Sequence, residues 1–277
     1  MAIEDNSISV VLSIFWKESP AYLNTALESL YNQTHQADEI IAVCEGDFSE
    51  DLLKIMGFWE VKFTKNIFKV VKATSEKGLA SCLNLGLQSA TKRWIARFDT
   101  DDICLPERFE KQLNFLKKNP DIVLSSTFIQ EYNEDFSQKS GIRKLPIAHQ
   151  EILKEAKWKS PFNHPSAIYD RQIALKLGGY PLLDANEDYA FFCKFLVNNY
   201  ITGNIDETLV KARAGDSLIA RRRGLKYLKG EMECMKFLYR IKLINRSQLM
   251  VHFATKSVLR LMPFVLVKFV YKQMRLQ

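Results

Sequence analysis

The chain has 277 residues, 47% hydrophobic and 26% charged, a balance that supports a buried core and excludes a disordered or collagen-like chain. Its formal charge of +7 is lopsided: residues 234–277 hold nine Lys and Arg and no Asp or Glu, so the first 233 residues carry about −2 and a uniformly basic nucleic-acid binder is excluded. Five scattered cysteines without a C-x-x-C exclude a disulfide framework or a zinc knuckle, and fit a reducing cytosol.

Residues 8–15 are apolar and β-branched with no charge, the pattern of a strand buried on both faces. Ser19-Pro20 opens a helix, with Leu23, Leu27, Leu30 and Tyr31 at helical spacing. A second strand is expected over 39–44, a loop at Glu45-Gly46-Asp47, a short helix from Ser49, a third strand over 67–73 and a helix through Leu79, Leu83 and Leu87. The fourth strand, 93–98, runs straight into Asp99-Thr100-Asp101-Asp102. Pro106 then opens a helix that Asn119-Pro120 stops, and 122–129 reads as one further strand. A helix near 150–158 precedes Ser160-Pro161-Phe162-Asn163-His164-Pro165. Strands alternating with helices predict parallel crossovers in a doubly wound sheet, whose ligands bind beyond the carboxyl ends of the strands.

Three carboxylates in four positions repel one another, so they stay ionised together only with a cation among them. Oxygen ligands suit Mg²⁺ or Mn²⁺, and Mg²⁺ is usually held by one or two carboxylates plus substrate phosphates. An ordinary acidic turn ahead of a helix is the alternative reading. Glu187-Asp188 precedes an apolar helical face of Tyr189, Phe192, Phe195 and Leu196, which puts both acids in a first turn where the helix dipole favours a carboxylate able to accept a proton. Neither G-x-G-x-x-G nor G-x-x-x-x-G-K-[ST] occurs, so dinucleotide and P-loop enzymes lack their signature.

The ordered blocks Ser9–Phe15, Gln33-Thr34, Lys77-Gly78-Leu79, Asn84-Leu85-Gly86-Leu87, Ile95–Ile103, Pro106–Phe109, His164-Pro165, Gly178-Gly179-Tyr180 and Glu187-Asp188-Tyr189 resemble the family 2 glycosyltransferases, specifically the bacterial surface-polysaccharide branch with amylovoran-type enzymes. The resemblance implies an α/β GT-A (Rossmann-like) fold: a mostly parallel central sheet with helices on both faces, catalytic over 1–225, followed by a helical, amphipathic extension over 226–277. It implies that Ser13, Ile14 and Phe15 cradle a uracil ring. Glu45 stands where the family usually has an aspartate that accepts the uracil N–H; glutamate keeps the acceptor and adds a methylene. Lys77 joins the nucleotide-sugar side, Asp99 faces the ribose or donor sugar, and Asp101, with Asp99 and His164, holds the metal. Asp102 is read as the cap of the next helix. Asp188 is the implied general base and Glu187 positions the acceptor. Arg213, Arg221, Arg222 and Arg223 surround Gly215-Asp216-Ser217 as a closing loop, with Arg221 and Arg222 the expected clamps on the diphosphate. One base implies in-line displacement and inversion at the anomeric carbon.

Residues 249–274 carry many apolar positions, while Lys256, Arg260, Lys268, Lys272 and Arg275 fall within less than half of a helical wheel, a cationic stripe suited to an anionic membrane surface; the competing reading packs this helix on the catalytic core. The longest apolar run, 261–267, contains Pro263 and is far short of the ~20 residues that span a bilayer, and the N-terminus lacks signal-peptide features. The expectation is therefore a cytoplasmic enzyme, peripheral on the inner membrane, taking a UDP-sugar donor and a lipid-linked saccharide acceptor with Mn²⁺ or Mg²⁺ and binding no nucleic acid. A sugar nucleotidyltransferase would need a glycine-rich loop after the first strand, and residues 14–18 contain no glycine. A non-catalytic membrane-binding protein driven by the tail is the other alternative.

Overall fold

A computed structural model describes residues 6–64, 66–73, 78–215, 220 and 222–262. Lys77, Arg221 and the part of the cationic tail beyond Met262 lie outside the described residues. The central sheet contains β1 (Ile8–Phe15), β2 (Glu39–Glu45), β3 (Phe68–Lys72), β4 (Trp94–Arg97), β6 (Ile122–Ser125), β9 (Ile168–Asp170) and β10 (Ile201–Thr202), in the order β10-β6-β9-β4-β1-β2-β3. β1 runs parallel to β2 and β4, β2 to β3 and β6 to β10, while β9 alone runs antiparallel to its neighbours β4 and β6. A smaller sheet orders β5 (Ile103–Cys104), β11 (Ile205–Arg213), β7 (Thr127–Tyr132) and β8 (Lys139–Arg143) as β5-β11-β7-β8.

Alternation along β1 explains the two-sided core. Val10, Leu12 and Ile14 join one apolar cluster with Leu23 and Leu27 of α1 (Pro20–Tyr31), Trp59 of α2 (Glu50–Phe63) and Phe109 of α4 (Arg108–Lys118). Val11 points to the other face and joins Leu83 and Leu87 of α3 (Leu79–Ser89) and Phe191, Phe192 and Phe195 of α7 (Glu187–Val197). α5 (His149–Glu155) and α6 (Arg171–Lys176) complete that side, joined by α8 (Gly224–Arg240), which contributes Met232, Met235 and Leu238 to the same cluster.

Two expected elements differ. The single strand expected over 122–129 is two: β6 lies in the central sheet and β7 in the small one, with Ser126 between them. Both the backbone N–H and the hydroxyl of Ser126 donate to Asn204 Oδ1, at 2.9 and 2.8 Å, a side-chain anchor that period-two patterning does not reveal. The helix from Ser49 is not short but 14 residues, capped by Ser49 Oγ accepting from Leu52 N.

The last helix, α9 (Arg246–Leu261), starts with a reciprocal capping box between Asn245 and Gln248. Its orientation corrects the expected stripe. Lys256 and Arg260 point inward to Glu231 of α8, which is 2% exposed: Lys256 Nζ lies 2.6 Å from Oε1, and Arg260 Nε lies 2.8 Å from Oε2. A carboxylate buried on α8 draws both cations toward it, because an unpaired ion there is more costly than leaving apolar side chains in water. Among the described residues no helix is long and apolar enough to cross a membrane.

Candidate active site

The carboxyl ends of β1, β2 and β4 form one rim. Phe15 and Glu45 are register partners, so the end of β1 and the buried Glu45 lie side by side. Glu45 Oε1 accepts from Gly78 N at 2.9 Å, drawing the loop ahead of α3 onto the rim. Ser13 is partly buried, Ile14 buried and Phe15 45% exposed, a short apolar floor. Trp16, which the motif reading passed over, extends that floor: its ring sits 5.6 Å from Phe15's, and its backbone N–H donates to Glu45 O at 3.1 Å. Gly46, with φ +86°, is required beside it, since a β-carbon there would come within 2.6 Å of Trp16 Cδ1.

The acidic loop is held from below and from the side. Arg97 is 2% exposed, and its Nη2 pairs with Asp99 Oδ1 while its backbone N–H donates to Ala167 O at 2.8 Å. The fully buried Arg108, from the Pro106–Phe109 block, donates through Nη2 to Arg97 O at 2.8 Å. The cation that three neighbouring carboxylates require is thus supplied in part by the chain itself. Asp102 does not cap the next helix; its Oδ1 accepts from Arg213 N at 3.0 Å, tying the loop to β11. Arg213 is not on a closing loop: Nε donates to Asp101 O at 2.7 Å and the guanidinium lies between the rings of Tyr22 and Phe136, at 3.5 and 4.1 Å. Arg223 is also committed elsewhere, its Nη2 donating to Met262 O at 2.7 Å.

Asp101 keeps excess negative potential. Burial, then the charges of Asp99 and Glu18, push its carboxyl up to about 6. Glu18 is held on the loop by Thr100 Oγ1, which donates to Glu18 Oε2 at 2.5 Å. No group of three or more His, Cys, Asp or Glu side chains among the described residues converges as a ready metal cage. The donors present nevertheless suit a hard cation: a crowded Asp101 whose ionisation a positive charge would restore, close to Asp99, the kind of oxygen donors that substrate phosphates usually complete.

The second acidic pair arrives from the other side of the sheet. Asn186, left-handed at φ 58°, turns the chain into α7, and Glu187 and Asp188 occupy its first turn as the sequence predicts. The expected influence of the helix dipole does not dominate at Glu187: burial first, and Asp188 next, push its carboxyl up to about 7. Glu187 also feels the charges of Arg97 and Asp99, so the two acidic motifs, about ninety residues apart in sequence, share one electrostatic neighbourhood.

His164 lies there too. It sits in a short 3-10 turn (His164–Ser166) that β9 delivers back to the rim, and its Nε2 is 3.5 Å from Tyr180 Oη. Burial, with the nearby Arg97 charge, lowers its pKa to about 4, while Asp188 and Asp99 act in the opposite direction. At neutral pH the imidazole is uncharged, the form that coordinates a metal or accepts a hydrogen bond. The Gly178-Gly179-Tyr180 block supports this wall: Asn84 of α3 brackets Tyr180, its Oδ1 accepting from the backbone N–H at 2.7 Å and its Nδ2 donating to the carbonyl at 2.8 Å.

Of the expected site residues, Ser13, Ile14, Phe15, Glu45, Asp99, Asp101, His164, Glu187 and Asp188 gather at the carboxyl rim or beside it. Arg222 is partly buried, and its charge acts on Arg143, which also feels Asp188. Sequence reasoning missed Trp16, Glu18, Arg97 as the clamp on Asp99, and Arg143. Arg97 was visible as a cation directly ahead of the acids; Arg143 carried no local signal.

Known proteins share the sequence pattern and the fold. The family described as Glycosyl transferase family 2 matches residues 9–178. The chain is 35% identical over 273 residues to the amylovoran biosynthesis glycosyltransferase AmsE of Erwinia amylovora, covering 96% of this chain and 98% of the relative. It is 32% identical over 275 residues to the UDP-Gal:alpha-D-GlcNAc-diphosphoundecaprenol beta-1,3-galactosyltransferase of Escherichia coli, covering 99% and 98%. Among solved structures, S. aureus TarS 1-349 in complex with UDP-GlcNAc superposes with TM-score 0.66 at 17% identity, covering 91% of this chain and 72% of TarS. The mannosyltransferase PcManGT from Pyrobaculum calidifontis, in complex with GDP-Man and Mn2+, superposes with TM-score 0.61 at 16% identity, covering 98% and 80%.

Proposed function

The chain belongs to glycosyl transferase family 2, and from that premise we propose that it is an inverting, metal-assisted hexosyltransferase. It moves a sugar from a UDP-sugar to a lipid-diphosphate-linked saccharide in the synthesis of a bacterial surface polysaccharide such as O-antigen, capsule or exopolysaccharide. Residues 1–225 form the catalytic body and 226–277 a helical extension that brings it to the cytosolic face of the inner membrane. The observation that carries the reading is the meeting of the Asp99–Asp102 loop with Glu187-Asp188 around Arg97 and His164. The named chemistry of the E. coli relative supports the acceptor class, and the UDP-GlcNAc complex of TarS supports the donor class.

In this reading Ser13, Ile14, Phe15 and Glu45 hold the base, Lys77 binds the nucleotide sugar, and Arg221 and Arg222 take the diphosphate oxygens. Asp101 and Asp99, with His164, would hold Mn²⁺ or Mg²⁺, which would supply Lewis-acid charge to stabilise the leaving diphosphate. Arg97 pairs with the Asp99 carboxylate and aims it. Asp188 takes the proton from the acceptor hydroxyl as that oxygen attacks the anomeric carbon, and Glu187 orients the acceptor beside it. The attack comes from the face opposite the diphosphate, so an α-linked donor gives a β-linkage.

Two variants test the division of labour. Asp188→Asn should keep UDP affinity within about twofold yet lower kcat by roughly a hundredfold or more, whereas Asp101→Ala should weaken Mn²⁺-dependent UDP binding at least about tenfold in calorimetric titration. Near-full transfer by Asp188→Asn would remove Asp188 as the base.

A further inference from the structure

The hairpin of α8 and α9 carries features that sugar transfer does not use. At its bend lies a cavity of about 540 Å³ whose lining includes Lys157, Arg240, Lys242, Tyr239, Asn245 and Gln248, and no acidic residue. None of the three cations has an ion-pair partner within 4 Å among the described residues. The arrangement concentrates positive charge in a concave site, where anions are favoured over water.

Beyond the bend, the outward face of α9 is apolar. Met250 is 63% exposed, Phe253 55%, Val258 59% and Leu261 56%, and they recur at three to five residues along one side of the helix. The cations that the sequence assigns to this side, Lys256 and Arg260, are turned to Glu231 instead. Exposed apolar side chains on one face, with no packing partner among the described residues, mark an interaction surface. Trp158 and Tyr239 are exposed beside the cavity, the aromatic types that sit at the boundary between polar headgroups and acyl chains.

We propose that this hairpin is a bilayer-docking element: the cationic cavity takes the phosphate headgroup of an anionic lipid while the outer face of α9 enters the acyl layer. Cations, exposed aromatics and exposed aliphatics on one hairpin match the three chemistries of a bilayer surface: headgroup phosphates, the interface and acyl chains. A nucleic acid has no use for the apolar face. An acidic protein partner would leave Met250, Phe253, Val258 and Leu261 to be matched by a second apolar surface, which nothing about the cavity requires. The inference deepens the membrane-side reading of the acceptor and rests on it for biological purpose, but its test does not depend on catalysis. α8 is braced against the helix that carries Asp188, with Cys234 Sγ 3.5 Å from Asn186 O at the start of α7. Docking would therefore fix the height of the proposed base above the lipid phosphates.

Flotation of the full chain with vesicles of phosphatidylcholine alone, or with a quarter phosphatidylglycerol, decides the matter. Wild type should float with the anionic vesicles, and raised salt should weaken this. The double variant Arg240→Glu/Lys242→Glu and the double variant Phe253→Ser/Val258→Ser should each lose at least about tenfold in vesicle affinity. Both should transfer sugar to a short-chain, water-soluble diphosphate-linked acceptor within about twofold of wild type, which shows they are folded. Equal flotation by wild type and either double variant would overturn the proposal. So would equal binding to neutral vesicles, or a wild type that ignores both vesicles and instead self-associates through this face. A wild type that floats as expected but transfers no sugar to any acceptor supports the docking element and sinks the catalytic reading.

Discussion

Burial of Arg97 beneath the acidic loop relieves a repulsion that Asp99, Asp101 and Asp102 would otherwise feel in full. It answers Asp99 directly and lowers the cost of ionising Asp102, yet burial and the two neighbouring aspartates still hold Asp102 well above the usual carboxylate range. Glu187 shows the same contest on the acceptor side. Its carboxyl, ordinarily near 4.5, titrates at about 7 in the folded chain. A group raised in this way favours the folded state fully below 4.5, and that favour is lost as pH rises through 7. Glu187→Gln cannot ionise, so it should be more stable than wild type at pH 8, by no more than about 3 kcal/mol and with a higher melting temperature, and match it near pH 4. Thermal unfolding at the two pH values checks this; an equal gap at both would rule out titration as the cause.

The α8–α9 hairpin depends on one buried acid. Glu231 faces Lys256 and Arg260, which are 18% and 7% exposed in their side chains, and these pairs hold its carboxyl below the usual range despite burial. Removing one member of such a network leaves the others charged and poorly hydrated. Glu231→Ala should therefore destabilise the chain by about 3 kcal/mol in denaturant unfolding, with loss of amide protection concentrated in α9 if the hairpin opens before the core. Protection unchanged in α9 would mean that its packing, not this triad, holds it. The same element shows how an amphipathic pattern can be read correctly as a helix and wrongly in its orientation: a wheel gives the angle between cations and aliphatics, but not which of them faces the body.

Across the whole molecule, the antiparallel β9 has the largest positional effect. It crosses back between β4 and β6, so the turn at His164 reaches the rim where β1, β2 and β4 end. The small sheet then closes over the acidic loop through β5 and β11, and Arg213 staples the two sheets together at Asp101 and Asp102. A site assembled from both sheets should tighten when filled. UDP with Mn²⁺ should raise the melting temperature by several degrees, and chelation of the metal should reverse most of that gain, because only the folded state binds. A shift with UDP that chelator leaves untouched would count against Asp101 as a metal ligand.

The alternation of strands and helices, the acids following the fourth strand and the acids opening a late helix were all legible along the chain, because period, caps and breakers act over a few residues. The blocks Gln33-Thr34 and Pro106–Phe109 were legible as motifs but not as partners: Thr34 N donates to Pro106 O at 2.9 Å, and Gln33 Nε2 to Leu105 O at 2.8 Å. The break between β6 and β7, the Arg97 clamp, the tie from Asp102 to Arg213, the raised Glu187 and the inward turn of Lys256 and Arg260 could not be read in advance. Each depends on a group far away in sequence and close in space, and the electrostatic cost of burial is set only when the fold decides which charges lose their water.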